Sequence, residues 1–247
     1  MLEIKNIKIS INKEKNNDNK SSDFAMESSA ENILIQDASL FLKEGETIKL
    51  EGANGSGKTT LLNAIFKNEN YNIIAGDIIL NNKSILELET FELARLGMYL
   101  GLQFIPEIQG LSTIKFLYKA YENINKSKES EKAKLLNIVD FKKELEVKCD
   151  MFGLDKSFLS KDLNVGYSGG EKKQATLIYI LALMPKYLFV DEPDSGVDKE
   201  SVEKIYKIIN YLKDNGSGIL ITSHNSELDK HINFDRAYKL ENKKIII

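Results

Sequence analysis

Between residues 52 and 59 the chain reads Gly52-Ala53-Asn54-Gly55-Ser56-Gly57-Lys58-Thr59, a G-x-x-x-x-G-K-T run. It follows a short strand-like stretch, Glu46 to Glu51, and opens onto a helix-like stretch, Thr60 to Lys67. A run of this kind between a strand and a helix is a phosphate-binding loop. Its glycines let successive backbone N–H groups turn inward on a polyphosphate, and the helix presents its positive N-terminal end. Lys58 can reach the terminal phosphates, and the Thr59 hydroxyl is placed to ligate Mg²⁺. Gly52, Asn54, Gly55, Ser56, Gly57, Lys58, Thr59 and Thr60 are therefore the expected nucleotide-binding residues.

With 247 residues, 42% of them apolar and 29% charged, the chain can bury one sizeable core and carry a smaller subdomain. A formal net charge of −3 gives no basic footprint, so nucleic acid is not an expected partner. The single Cys149 excludes an internal disulfide and fits a reducing compartment. With no activating His nearby in sequence, it reads as an incidental thiol. The longest apolar run, Leu177 to Met184, is too short to cross a bilayer. The chain begins directly with Leu2, Ile4, Ile7, Ile9 and Ile11 in near alternation, so no secretory or transit segment is visible. The expectation is a soluble cytoplasmic protein without direct membrane insertion.

Met1 to Ile11 reads as a strand and Ile33 to Leu42 as its hairpin partner. The stretch between them, residues 12–32, is rich in Asn, Lys, Ser and Glu. Its only large apolar residues are Phe24 and Met26, so it is expected to be a mobile insertion. Gly76 to Asn81 and Tyr99 to Phe104 are strand candidates flanking a helical stretch around Leu88 to Leu96. From Leu111 to Lys161 the pattern is mostly helical, with Leu135, Val139 and Leu145 as apolar points among many charges; a helical subdomain is expected at about 111–165. Tyr187 to Val190 and Gly218 to Thr222 are uninterrupted apolar runs, as in parallel strands covered on both faces. Between them Val202, Ile205, Ile209 and Leu212 form one face of a crossover helix. Arg236 to Ile247 reads as a hairpin turning near Asn242. No internal repeat is present, so residues 1–247 are expected to form a single domain.

Four further motifs accompany the phosphate loop. The strand Tyr187 to Val190 ends in Asp191 and Glu192, placing two carboxylates at the carboxyl edge of a parallel sheet where ligands collect. Asp191 is expected to hold Mg²⁺ through water, and Glu192 to orient or deprotonate the attacking water. Ser168-Gly169-Gly170-Glu171 precedes a long apolar helix; Ser168 can cap it while the glycines expose its N-terminal amides as a second anion site. Gln103 ends a strand with an amide able to touch both metal and water. His224 ends the strand Gly218 to Ser223, where a terminal phosphate would be sensed, whereas His231 lies in an ordinary polar helical stretch.

The order phosphate loop, Gln103, Ser-Gly-Gly-Glu, acidic strand end, Asp198 and His224 resembles an ABC-type ATPase cassette over nearly the whole chain. Three stretches resemble the SufC-like branch of that family, the ATPases of Suf iron–sulfur cluster assembly. They are residues 103–110 (QFIPEIQG), 164–173 (NVGYSGGEKK) and 191–198 (DEPDSGVD). Transporter cassettes usually carry Gln where Glu171 stands and Thr where Asp194 stands. The chain departs from the SufC pattern at Gln174, where an Arg is usual, in the long stretch 12–32, and in ending at Ile247 without the further tail of many relatives. The base-stacking aromatic of many cassettes falls near position 11, occupied here by Ile11, as in SufC-like proteins.

The resemblance implies an α/β fold. Its parts are a P-loop, RecA-like, mainly parallel core, an N-terminal antiparallel β layer and an inserted helical subdomain. It implies ATP and Mg²⁺ as cofactors. It also implies a nucleotide sandwiched between the phosphate loop of one cassette and Ser168 to Glu171 of another, with Asp198 in the D-loop. The implied partner is a SufB/SufD-like scaffold, since one Cys and two His cannot hold a cluster. The isolated chain is expected to be mainly monomeric and to dimerise with ATP within the complex. The expected docking surface is Phe104 to Leu111, with Ile105, Pro106, Ile108 and Leu111 apolar and Glu107 as polar anchor. The alternative is the ATP-binding subunit of an ABC membrane transporter. A chromosome or ribosome ATPase is disfavoured by the absence of a coiled-coil insertion, a second cassette and a basic patch.

Overall fold

The computed structural model describes residues 1–12, 32–101, 106–126, 135–196, 198–223 and 226–246. Gln103, Phe104, Ile105 and His224, and nearly all of the stretch 12–32, lie outside them. In chain order the elements begin β1 (Leu2–Ile11), β2 (Ile33–Leu42), β3 (Thr47–Glu51), α1 (Lys58–Ile65), β4 (Tyr71–Leu80), β5 (Lys83–Ser84), α2 (Thr90–Arg95) and β6 (Met98–Gly101). There follow β7 (Ile108–Ser112), α3 (Thr113–Lys126), α4 (Ile138–Phe152), β8 (Asp162–Leu163), α5 (Gly169–Leu183) and β9 (Tyr187–Asp191). The last are α6 (Lys199–Asp214), β10 (Gly218–Ser223), β11 (Arg236–Glu241) and β12 (Lys244–Ile246).

Ten of the strands form one sheet in the order β5-β4-β1-β2-β12-β11-β3-β10-β9-β6. Its core, β11-β3-β10-β9-β6, is parallel, and its β5-β4-β1-β2 end is antiparallel. This is the expected α/β cassette architecture. The central strands β9 and β10 are apolar up to their carboxyl ends because both their faces are covered. Phe189 and Leu220 face the cluster made with β1, β2, β4 and α1, while Leu188, Ile219 and Ile221 face the cluster made with α3 to α6. On α6, Ile205, Ile209 and Leu212 are buried and Val202 packs at the margin, as the periodicity predicts.

Several boundaries differ from the sequence expectation. β4 starts at Tyr71, five residues before the expected Gly76. That glycine is a point of close approach rather than a strand start: a Cβ there would lie 2.4 Å from the Lys5 carbonyl oxygen. The facing Asn6 has φ +50°, which absorbs the phase shift between Ile4 and Ile7 and leaves Leu2, Ile4, Ile7 and Ile9 all buried. The stretch expected to be helical from Leu111 opens instead with β7. β7 pairs antiparallel with β8 around the left-handed Gly110, a long-range pairing that local periodicity does not carry. Val139 is not an apolar anchor. It is 58% exposed, because α4 buries Phe141, Leu145, Cys149 and Phe152, and Val139 lies off that face.

Candidate nucleotide site

β3, β10 and β9 are adjacent and parallel, with Ser223 beside Glu51 and Thr222 beside Asp191. Their carboxyl ends therefore open on one edge, the edge from which the phosphate loop, Glu192 and the segment after Ser223 all emerge. The loop wraps into α1 through Gly55 at φ +78° and Gly57 at φ +110°, the latter serving as N-cap. At Gly52 a Cβ would come 2.6 Å from Ser56 Oγ and 2.7 Å from the Leu240 carbonyl oxygen, so this position admits only glycine without displacing its neighbours. The first turn of α1 carries no acidic residue, leaving its N-terminal amides uncompensated for an anion.

Lys58 is buried, and its Nζ donates to the carbonyls of Gly52 at 2.7 Å and Ala53 at 3.3 Å. Glu192 Oε1 lies 3.6 Å from the same ammonium. Thr59 Oγ1 donates to Asp191 Oδ2 at 2.7 Å. The buried Thr222 donates through Oγ1 to Asp191 Oδ1, and the same oxygen accepts from the Glu192 N–H at 3.1 Å. Glu192 has φ +44°, a left-handed conformation that costs a non-glycine residue about 1–2 kcal/mol. Thr222 is the residue that sequence reading missed. The available signal was a hydroxyl ending the otherwise apolar run Gly218 to Thr222.

The residues present fit a magnesium nucleotide. Ser56 Oγ is buried with no protein partner, an acceptor-and-donor group turned into the loop. Thr59 and Asp191 present hard oxygens of the kind Mg²⁺ prefers, an ion that keeps several of its waters. Ile11 ends β1 on the face of Ile9 and is 38% exposed, open to contact.

The second expected half-site is built separately. Ser168 caps α5 in a reciprocal box: its Oγ accepts from the Glu171 N–H at 3.3 Å, and its own N–H donates to Glu171 Oε2 at 2.8 Å. These bonds, the backbone one foremost, hold the Glu171 carboxyl below its ordinary range. Gly169 and Gly170 are exposed in the first turn of α5, where N–H groups have no intrahelical partner. Asp198 is committed to capping α6, accepting from the Ser201 N–H at 3.0 Å and from the Ser201 hydroxyl at 2.8 Å. Of the expected docking residues, Ile108 is exposed and Leu111 packs against the helical cluster. Glu107 is bonded within the chain, to Lys172 and Gly166, rather than standing open as an anchor.

A phosphate loop facing an acid-tipped strand across a parallel sheet defines a P-loop nucleoside triphosphatase. The family model described as ABC transporter matches residues 35–195. A second model, described as AAA domain, putative AbiEii toxin, Type IV TA system, matches residues 163–229. A probable ABC transporter ATP-binding protein of Streptococcus pyogenes serotype M18 is 34% identical over 214 residues, covering 87% of this chain and 82% of the relative. The probable ATP-dependent transporter ycf16 of Cyanidium caldarium is 32% identical over 213 residues, covering 86% and 83%. Among solved structures, an ATP-binding subunit of an ABC transporter superposes with TM-score 0.73 at 20% identity, covering 99% of this chain and 88% of the other. A dimeric ATP-binding cassette in a post-hydrolysis state bound to ADP and Pi superposes with TM-score 0.72 at 20% identity, covering 100% and 97%. The chain belongs to the ABC transporter ATP-binding family. It is an ABC-type ATPase, with ATP as its nucleotide and Mg²⁺ as its metal. Among the described residues no helix is long and apolar enough to cross a membrane.

Proposed function

We propose that this ATPase works as one of two cassettes closing on ATP, and that it is of the SufC type, driving a SufB/SufD-like scaffold in iron–sulfur cluster assembly. The bond from Thr59 to Asp191 carries the catalytic part of this reading, because it joins the phosphate loop to the acidic strand end at the point where a metal would be held. Lys58 leaves the Gly52 and Ala53 carbonyls to meet the terminal phosphates, and Ser56 with the amides of residues 57–60 receives the others. Thr59 and Asp191 would hold Mg²⁺, which would supply neutralisation of the phosphate oxygens. Glu192 takes the proton of the attacking water, with Thr222 fixing its backbone. Gln103 and His224, outside the described residues, complete the set as water-and-metal contact and phosphate sensor. Ser168, Gly169 and Gly170 close the site from a second copy, with Asp198 shaping the facing loop. Because two half-sites of one chain point to different nucleotides, ATP binding brings copies together and hydrolysis releases them.

The SufC assignment is supported by Glu171 and Asp194 in place of the usual Gln and Thr and by the stretch 103–110. The transporter reading is favoured by a different observation, the similarity to a probable ABC transporter ATP-binding protein of Streptococcus pyogenes and a probable ATP-dependent transporter of Cyanidium caldarium. Co-purification from the native host separates them: a soluble scaffold captured with the chain supports the first, and a multi-span permease overturns it.

A further inference from the structure

Two consecutive residues, Pro106 and Glu107, grip the segment that leads into α5 at three points. The Pro106 carbonyl accepts from Asn164 Nδ2 at 3.3 Å. Glu107 Oε2 accepts from the Gly166 N–H at 3.3 Å, and Glu107 Oε1 accepts from Lys172 Nζ at 2.8 Å. The far side of the grip is firm. Asn164 is fully buried in a left-handed conformation at φ +58°, and its Oδ1 accepts from the Tyr179 hydroxyl at 2.9 Å, inside α5 itself. The next residues extend the joint: Ile108 pairs with Leu163, and the Gly110 N–H donates to Asp162 Oδ2 at 2.8 Å.

On one side, this joint begins directly after the connection 102–105 that leaves β6. On the other, it ends in the first turn of α5, where the capping box holds Ser168 and leaves Gly169 and Gly170 open. The ion pair at its centre is half in water, with side chains 47% and 23% exposed, and such pairs add little to stability. What it does is geometric: it fixes the open end of α5 to the residues just before β7.

We propose that Glu107 and Lys172 are positioning residues. Their ion pair ties the Ser168–Gly170 end of α5 to Pro106 and Glu107, and so sets whether that end can close on the nucleotide of a second copy. The proposal rests on the two-cassette reading above. Neither residue belongs to the phosphate loop, so nucleotide binding by a single chain is not expected to depend on the pair.

The test uses Glu107→Gln, which keeps an acceptor for the Gly166 N–H but removes the charge, together with Lys172→Met and the double variant. ATPase turnover is measured on the full chain, and ATP-dependent dimerisation is measured by sedimentation in a Glu192→Gln background. Each single change is expected to lower kcat at least fivefold and to weaken the ATP-dependent dimer. KM for ATP, affinity for a fluorescent ATP analogue and Tm should stay near wild type. The double variant should be no worse than the poorer single, because the two act as one unit. Wild-type turnover in either single, additive losses, or a loss that follows nucleotide affinity or Tm overturns the proposal. A chain with intact Glu107 and Lys172 that binds ATP but neither dimerises nor hydrolyses it removes the two-cassette reading and the proposal with it.

Discussion

Thr59 and Asp191 lie 132 positions apart in sequence, and the hydroxyl of the first donates to the carboxylate of the second at 2.7 Å. The bond joins the phosphate loop to the strand end that carries Glu192. The same two side chains would hold Mg²⁺, Thr59 through its hydroxyl and Asp191 through water. Thr59→Ala and Asp191→Asn are therefore expected to raise the Mg²⁺ concentration needed for half-maximal ATPase activity by tenfold or more, while metal-free nucleotide affinity changes far less. An unchanged Mg²⁺ dependence in both would remove them from the metal site.

Lys58 and Glu192 face each other at 3.6 Å but have separable roles. Lys58→Ala is expected to abolish nucleotide binding, since the loop loses its only buried cation. Glu192→Gln keeps the shape and should retain ATP while losing turnover by 10²–10⁴-fold, the range for a positioned general base. Most of the wild-type rate surviving in Glu192→Gln would sink that assignment.

Base recognition is probed at Ile11, an exposed aliphatic residue on the β1 face that continues from Ile9. Ile11→Tyr adds a stacking contribution of about 0.5–1.5 kcal/mol. Calorimetry should show ATP binding two- to tenfold tighter; unchanged or weaker binding would place the adenine elsewhere.

Cys149 is fully buried, and burial pushes its thiol up to about 11. The native chain is expected to resist alkylation at pH 8 and to react only on unfolding, so alkylation rate in rising urea should follow the loss of circular dichroism. Rapid modification of the folded protein would contradict the packing of α4. As the thiol is less acidic folded than unfolded, it destabilises the fold as pH rises past its ordinary value near 9.

The capping box sets an acid dependence. Glu171 is held below its ordinary 4.5 by bonds from Ser168, so its contribution is present above that value and disappears as pH falls through the lower folded value. Chemical denaturation from pH 6 down to pH 3 should show a steeper stability loss in wild type than in Glu171→Gln, which cannot titrate. Parallel curves would show that the box contributes nothing to the folded state.

Much of this was legible because the chemistry is local. The phosphate loop needs its glycines and lysine in one consecutive run, and Ser168 with Glu171 closes its box within a single helical turn. The apolar runs of β9 and β10 mark strands covered on both faces wherever they fall. Other features were not legible. Gly76 looked like a strand boundary and is a crossing point with Lys5. Val139 carried the right polarity for a core position but sits on the wrong face of α4. Nothing local to β3 marks Lys49 as buried, yet its side chain is only 3% exposed, with Asp229 and Glu51 in ion pairs at 2.8 and 2.6 Å.

The sequence by itself determined the site's ingredients and the fold that displays them, because motif spacing and hydrophobic period are properties of neighbouring residues. Tertiary structure decided the rest. It brought Thr222 under both Asp191 and Glu192, and it turned Glu107 from a free carboxylate into one bonded to Gly166 and Lys172. Those relationships span from 30 to 65 positions. They exist only once the strand order β3-β10-β9 and the pairing of β7 with β8 have set the distances, and no local pattern of charge or polarity encodes a distance across a sheet.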